Sequence, residues 1–304
     1  NLNLKSLLYL YMKMDKVKII ILHSVFTENA IVLATRLGVE IIKDFTPQTG
    51  YLYIVYGGHE KTIDLLNSQK QMGNTFGYII MNSEPPNSQF IQNKFYLELM
   101  KNNVVFDYHN QSASYLKKVH NINVKSFHFF DFPEYKEEAF QSLSKGDLGF
   151  TTPEEPERTI DILFVGTKTA RRETIFKKLK EAYPNKTIEF VFDWSLSAPV
   201  NMTNKLKQAQ YVLNIPYHEH NILETHRINK ALSCGCDVVS LYSGDKITDD
   251  FYEDYVYMTH DIVEVFNEDL TGNKKPYHEL SKFLTQKLTT HNNWYISKIF
   301  ENLS

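Results

Sequence analysis

The sequence predicts an α/β protein built as two parallel-sheet domains. Three observations lead there: short, nearly continuous aliphatic runs, their regular alternation with helical stretches, and one break rich in Gly, Pro and charge near the middle of the chain. Aliphatic runs of this kind are what strands buried on both faces look like. Their alternation with helices builds parallel sheets through right-handed crossovers. At 304 residues, 42% hydrophobic and 23% charged, the chain is about twice the usual length of one domain and has an ordinary globular composition.

Residues 16–23 read Lys-Val-Lys-Ile-Ile-Ile-Leu-His and form the first expected strand. A helix is expected over 28–37, a strand over 52–56 stopping at Gly57-Gly58, a helix over 61–70 and a strand over 78–81. After a polar loop at 82–87, residues 88–101 read as one long helix, 104–107 as a strand, the stretch to Val119 as a helix and 125–129 as a short strand. The break at 145–158 has no apolar period, as an interdomain linker should not. It divides the chain into a first domain at 1–146, a linker at 147–158 and a second domain at 159–304, whose last helix is expected to pack back on the first. In the second series, strands are expected over 159–165, 187–192, 211–215, 237–241 and 256–258, and helices over 170–182, 202–209, 223–233 and 261–266. Two Rossmann-like domains of this kind would face each other across a cleft at the carboxyl ends of both sheets, where ligands of such folds bind.

Composition excludes some classes of function. A net charge of -3 offers no broad footprint for nucleic acid or an anionic membrane, so any phosphate site must be local. The two cysteines, Cys234 and Cys236, are too close for a disulfide and too few for zinc, and are expected to be reduced and structural. The apolar opening at residues 2–14 contains Lys5 and Lys13. It is too short for a membrane span and is not followed by a cleavage signature, and it reads as an N-terminal helix or linker packed on the body, with a weak membrane-surface contact as the alternative; the protein is expected to be cytoplasmic.

Two segments concentrate the candidate chemistry. In the first, Phe164-Val-Gly-Thr-Lys-Thr-Ala-Arg-Arg-Glu-Thr174, a strand runs through Gly166 and Thr167 into a helix that starts with Arg171 and Arg172. Backbone N–H groups at a helix start, with cations in its first turn, suit an anionic ligand; solvated surface charge is the other reading of the two arginines. The segment is neither a G-x-G-x-x-G fingerprint nor a P-loop, which argues against a nicotinamide oxidoreductase or an ATPase. In the second segment, residues 213–240, Glu224 and Arg227 are three apart and are expected to share a helix face. Such a pair suits sugar hydroxyls and phosphate together, or is a plain intrahelical ion pair. Replacing Arg172 or Arg227 is expected to spare stability, because neither is expected to fill core volume.

The run from Thr159 to Ser240 resembles the donor-binding half of GT-B glycosyltransferases. It has a strand ending in Val-Gly-Thr, a basic turn, and then Arg227-Ile-Asn-Lys-Ala-Leu-Ser-Cys-Gly-Cys-Asp-Val-Val239 in place of the family's Arg-x-x-Glu-Ala-Leu-Ala-x-Gly-x-Pro-Val-Val. Lys230 stands where the family has a ribose-binding glutamate, and Asp237 replaces the proline. The resemblance implies transfer of a sugar from a nucleoside diphosphate sugar to a glycan or small hydroxyl acceptor. It also implies that no metal or cofactor is needed, since arginines and helix termini stabilise the leaving diphosphate. The alternative is a non-catalytic nucleotide- or glycan-binding protein of the same fold.

On the acceptor side, Ile79-Ile-Met-Asn-Ser-Glu-Pro-Pro86 and Val105-Phe-Asp-Tyr-His-Asn-Gln-Ser112 put polar residues just past strands. Glu84 and Asp107 are catalytic candidates there, with Asn82 and Asn110 on the acceptor side; helix capping is the alternative for Asp107 and Asn110. His23, at the end of the first strand, is a further acceptor-side candidate. His218 and Glu219 are also catalytic candidates. With His220 and His226 they form a cluster that lacks the H-E-x-x-H spacing of a metal site.

Overall fold

A computed structural model of the chain describes residues 16–42, 45, 48–72, 77–126, 131–132, 157–192, 199–217, 222–267, 270, 274–284 and 286. The chain divides into two compact units, the first built on Asn1–Phe129 and the second on Phe130–Phe283. Each unit has its own parallel sheet and its own core, a mixed α/β organisation with a Rossmann-like layout.

The first unit runs β1 (Val17–Ile21), α1 (Thr27–Leu37), β2 (Glu40–Ile42), β3 (Leu52–Tyr56), α2 (Thr62–Met72), β4 (Gly77–Asn82), α3 (Lys94–Lys101), β5 (Val104–Asp107), α4 (Asn110–His120) and β6 (Val124–Ser126). Its six strands lie in the order β2-β1-β3-β4-β5-β6, each neighbouring pair parallel. The aliphatic runs occupy the middle: every residue of β3 is buried, and Val55, Ile80 and Val105 pack with Leu65, Leu99 and Leu116 of the helices. Residues 88–101 are not one helix. A 3-10 turn, Gln89–Gln92, comes first, and the Asn93 side chain then accepts from the Phe95 N–H to start α3 afresh.

The second unit runs β7 (Ile160–Val165), α5 (Ala170–Ala182), β8 (Ile188–Val191), α6 (Pro199–Lys207), β9 (Ala209–Asn214), α7 (Thr225–Ser233), β10 (Asp237–Leu241), α8 (Lys246–Tyr252) and β11 (Tyr257–Thr259). The strand order is β11-β10-β9-β7-β8, again parallel throughout. Residues 261–266, expected as a helix, hold instead a 3-10 turn at Glu264–Asn267. Cys234 and Cys236 are buried free thiols, and burial pushes the Cys236 thiol up to about 12. At the start of this unit the Phe132 N–H donates to the Tyr277 hydroxyl at 2.8 Å, and that hydroxyl donates to Asp131 Oδ1 at 2.8 Å.

Both sheets are wound alike. In each, the first strand lies between the second and the third, so the order reverses between β1 and β3 in one unit and between β7 and β9 in the other. Loops leaving the carboxyl ends of strands at such a reversal diverge and leave room for a ligand. The N-terminal stretch at 2–14, the expected last helix and all but two residues of the linker at 147–158 lie outside the described residues. Among the described residues, no helix is long and apolar enough to cross a membrane.

Candidate functional site

At the β7–β9 reversal the second unit gathers most of the residues expected to hold a phosphate. β7 ends at Val165, and Gly166 follows, its N–H donating to Val191 O at 3.1 Å. A Cβ on Gly166 would stand 2.9 Å from Arg227 Nη2 and 3.0 Å from the Phe164 ring, so the guanidinium lies against the loop only because that residue is glycine. Thr169 caps α5, its hydroxyl oxygen accepting from the Arg172 N–H at 3.2 Å.

The two neighbouring arginines of α5 differ sharply. Arg171 is partly buried and donates from Nη1 to Pro216 O at 3.1 Å. Arg172 is 1% exposed. Its Nε and Nη2 donate to Ile215 O at 3.1 and 2.6 Å, its Nη1 donates to Thr167 O at 2.8 Å, and its Nη2 also lies 3.4 Å from Glu224 Oε1. Burial, and then the charge of Arg171, push the Arg172 guanidinium down to about 10, still protonated at neutral pH. The expectation that Arg172 fills no core volume is therefore overturned. Its planar fork ties the loop after β7 to the loop after β9, which calls for burial.

Glu224 and Arg227 do not sit together on one helix face as expected: α7 starts at Thr225, and Glu224 is the residue before it. They nevertheless pair, Arg227 Nη1 contacting Glu224 Oε2. The carboxylate also accepts from the Tyr217 N–H at 3.1 Å. Arg227 is fixed further by Nε to Val165 O and Nη1 to Asn214 Oδ1, both 3.1 Å. Lys230 is buried, its Nζ donating to Thr203 Oγ1 at 2.7 Å beside the Phe132 ring. Burial and the charge of Arg172 push His226 down to about 4, so it is neutral at physiological pH. Among the described residues of this edge, two guanidiniums, Arg172 and Arg227, share the Glu224 carboxylate and a third, Arg171, acts on Arg172, an excess of positive charge beside a glycine loop. His218 and Glu219 lie outside the described residues.

The first unit brings Asn82, Glu84 and Asp107 into one network at the carboxyl ends of β4 and β5, without Asn110 or His23. Asp107 is fully buried and accepts from Asn82 Nδ2 at 2.7 Å, Ser112 Oγ at 2.7 Å and the His109 N–H at 2.9 Å. Asn82 Oδ1 in turn accepts from the Tyr96 hydroxyl at 2.9 Å. Burial pushes the Asp107 carboxyl up to about 7 against those three donors. Glu84 is less enclosed, accepting from Ser88 Oγ at 2.6 Å with His59 Nδ1 3.5 Å away. Asn110 is exposed as the first residue of α4, and the cap is His109, which accepts from the Gln111 N–H. His23 likewise accepts from the Val25 N–H at 3.2 Å, and the β1–β3 reversal beside it is shaped by Gly57, where a Cβ would stand 2.9 Å from His23 Cβ.

His59, Asn214 and Ser112 were not singled out from the sequence. Gly57-Gly58 directly before His59 was the available signal, since a double glycine after a strand marks close backbone approach. Among the described residues no group of three or more His, Cys, Asp or Glu is placed to hold a metal ion. No protein-family model matches this chain, and a search of curated proteins finds no match to it.

Proposed function

We propose that the chain is a GT-B glycosyltransferase whose second unit holds the diphosphate of a nucleoside diphosphate sugar, the sugar passing to a glycan or small hydroxyl acceptor without a metal. The observation that supports this best is the convergence of Arg172 and Arg227 on the Gly166 loop at the β7–β9 reversal, with Arg171 on Pro216 of the loop after β9. Charge builds on the departing diphosphate in the transition state, so a fixed guanidinium there lowers the barrier as well as holding the donor. Arg227 is the group to test, because its side chain is 14% exposed whereas that of Arg172 is 1% exposed.

The experiment is incubation with a panel of nucleotide sugars and candidate acceptors, following release of nucleoside diphosphate with and without EDTA. Turnover unaffected by EDTA is expected with at least one donor. Arg227→Ala should lower kcat/KM at least about tenfold, equivalent to about 1.4 kcal/mol. Arg227→Lys should recover part of that loss, since an ammonium lacks the planar fork that grips two oxygens. Wild-type kinetics in both variants would end the assignment.

One observation favours a second reading, a nucleotide- or glycan-binding protein without turnover. Lys230, at the place where the family has its ribose-binding glutamate, is turned to Thr203. In that case calorimetry detects nucleotide binding while no donor releases diphosphate.

A further inference from the structure

β9 and β10 each carry one polar residue in the buried later part of their run, and the parallel register sets these two, Asn214 and Ser240, side by side. Neither has any exposed surface. A carboxamide and a hydroxyl at such a place give up their hydration, and a pair of aliphatic side chains would fill the same space without that cost. Their hydrogen bonds show a direction. The Ser240 hydroxyl donates to Leu241 O at 3.0 Å, so its single proton is committed and its oxygen is left to accept. It accepts from Asn214 Nδ2 at 2.9 Å. The amide is thereby fixed with its nitrogen toward Ser240 and its oxygen toward α7, where Oδ1 accepts from Arg227 Nη1 at 3.1 Å. Turned the other way, the amide would present N–H to N–H on the guanidinium.

We propose that Leu241 O, Ser240 and Asn214 form a one-way hydrogen-bond relay that orients Arg227 for a phosphoanion, making Asn214 and Ser240 positioning residues of that site. The inference rests on the anion-binding reading of Arg227 given above. The relay fixes one edge of the guanidinium from behind, Val165 O and Glu224 hold it as well, and Nη2 lies against Gly166. Pre-set orientation of this kind removes the rotamer entropy that a flexible arginine would lose on binding.

The test uses the full chain and inorganic pyrophosphate as probe, with affinity read by calorimetry and folding by thermal melting. Ser240→Thr and Ser240→Val have nearly the same shape and differ by one hydroxyl, so packing cancels between them. The Thr variant should bind pyrophosphate about fivefold more tightly than the Val variant, the change expected for one net hydrogen bond. Asn214→Asp keeps the shape but places a carboxylate on Arg227, and should weaken pyrophosphate more than either, with a melting temperature that does not track the loss. Equal affinity for the Thr and Val variants, together with wild-type affinity for Asn214→Asp, overturns the relay while leaving the anion site standing. Failure of the wild-type chain itself to bind pyrophosphate overturns the anion-site reading and the relay with it. If the Ser240 variants do not fold, Asn214→Asp decides the question in the same way.

Discussion

Arg172→Ala is expected to lower the free energy of unfolding by about 3–5 kcal/mol, the range for removing one partner from a buried ion pair. The side chain is 1% exposed and donates to two carbonyls from loops on either side of the strand reversal, Thr167 O and Ile215 O. Its removal leaves both carbonyls buried without that donor and Glu224 Oε1 with the Tyr217 N–H, and an orphaned buried acceptor costs more than the lost bond is worth. The guanidinium also lies on the face of Phe164, its Cζ 4.8 Å from the ring centroid, so a void opens as well. Arg172→Lys should fall between the two, since one ammonium cannot serve carbonyls on both loops. Urea denaturation should show a lower midpoint with an unchanged slope. A wild-type midpoint for Arg172→Ala would show that the two loops hold their places without the brace.

Stability is also expected to fall as the pH rises from about 4 to about 7, because of Asp107. Burial, with a smaller contribution from the charge of Glu84, lifts this carboxyl from the ordinary 3.8 to about 7, while Ser112, Asn82 and the His109 N–H pull it back. Between those two values the folded chain keeps a proton that the unfolded chain has released. The contribution of Asp107 to stability is therefore fully present below the unfolded value and is lost as the pH climbs through the window. At about 1.4 kcal/mol per pH unit the loss is on the order of 4 kcal/mol. Asp107→Asn is neutral at every pH, and its weaker hydrogen bonding acts equally across the range. The difference in unfolding free energy between wild type and variant should thus move toward the variant from about pH 4.5 to about pH 7 and level off by about pH 8. A constant difference would mean that Asp107 is ionised in the fold throughout.

Much of the chain's organisation was legible because both sheets bury their central strands on two faces. The runs that became β3, β4, β7 and β10 are mostly apolar, and their limits were read within a residue or so. Elements held by one or two side chains were not legible. β2 is three residues long and pairs on one side only, and α8 is a seven-residue helix started by Asp245, which accepts from the Ile247 N–H. The site shows the same limit. Strand, glycine loop and basic helix start could be found by pattern, but Arg171 and Arg172 are identical in composition. Which of them turns inward depends on carbonyls of Ile215 and Pro216, far along the chain. Burial at Arg172 and the inward course of Lys230 are tertiary facts of that kind.

The tie of Asp131 and Phe132 to Tyr277 has a consequence for how the second unit is held in the chain. The bonds join residues 145 and 146 positions apart, so the polypeptide enters this unit and prepares to leave it at one point. A body whose two ends meet behaves as a cassette. Chain ends that lie together are what lets such a body be inserted into, or permuted within, a longer chain without pulling its sheet apart.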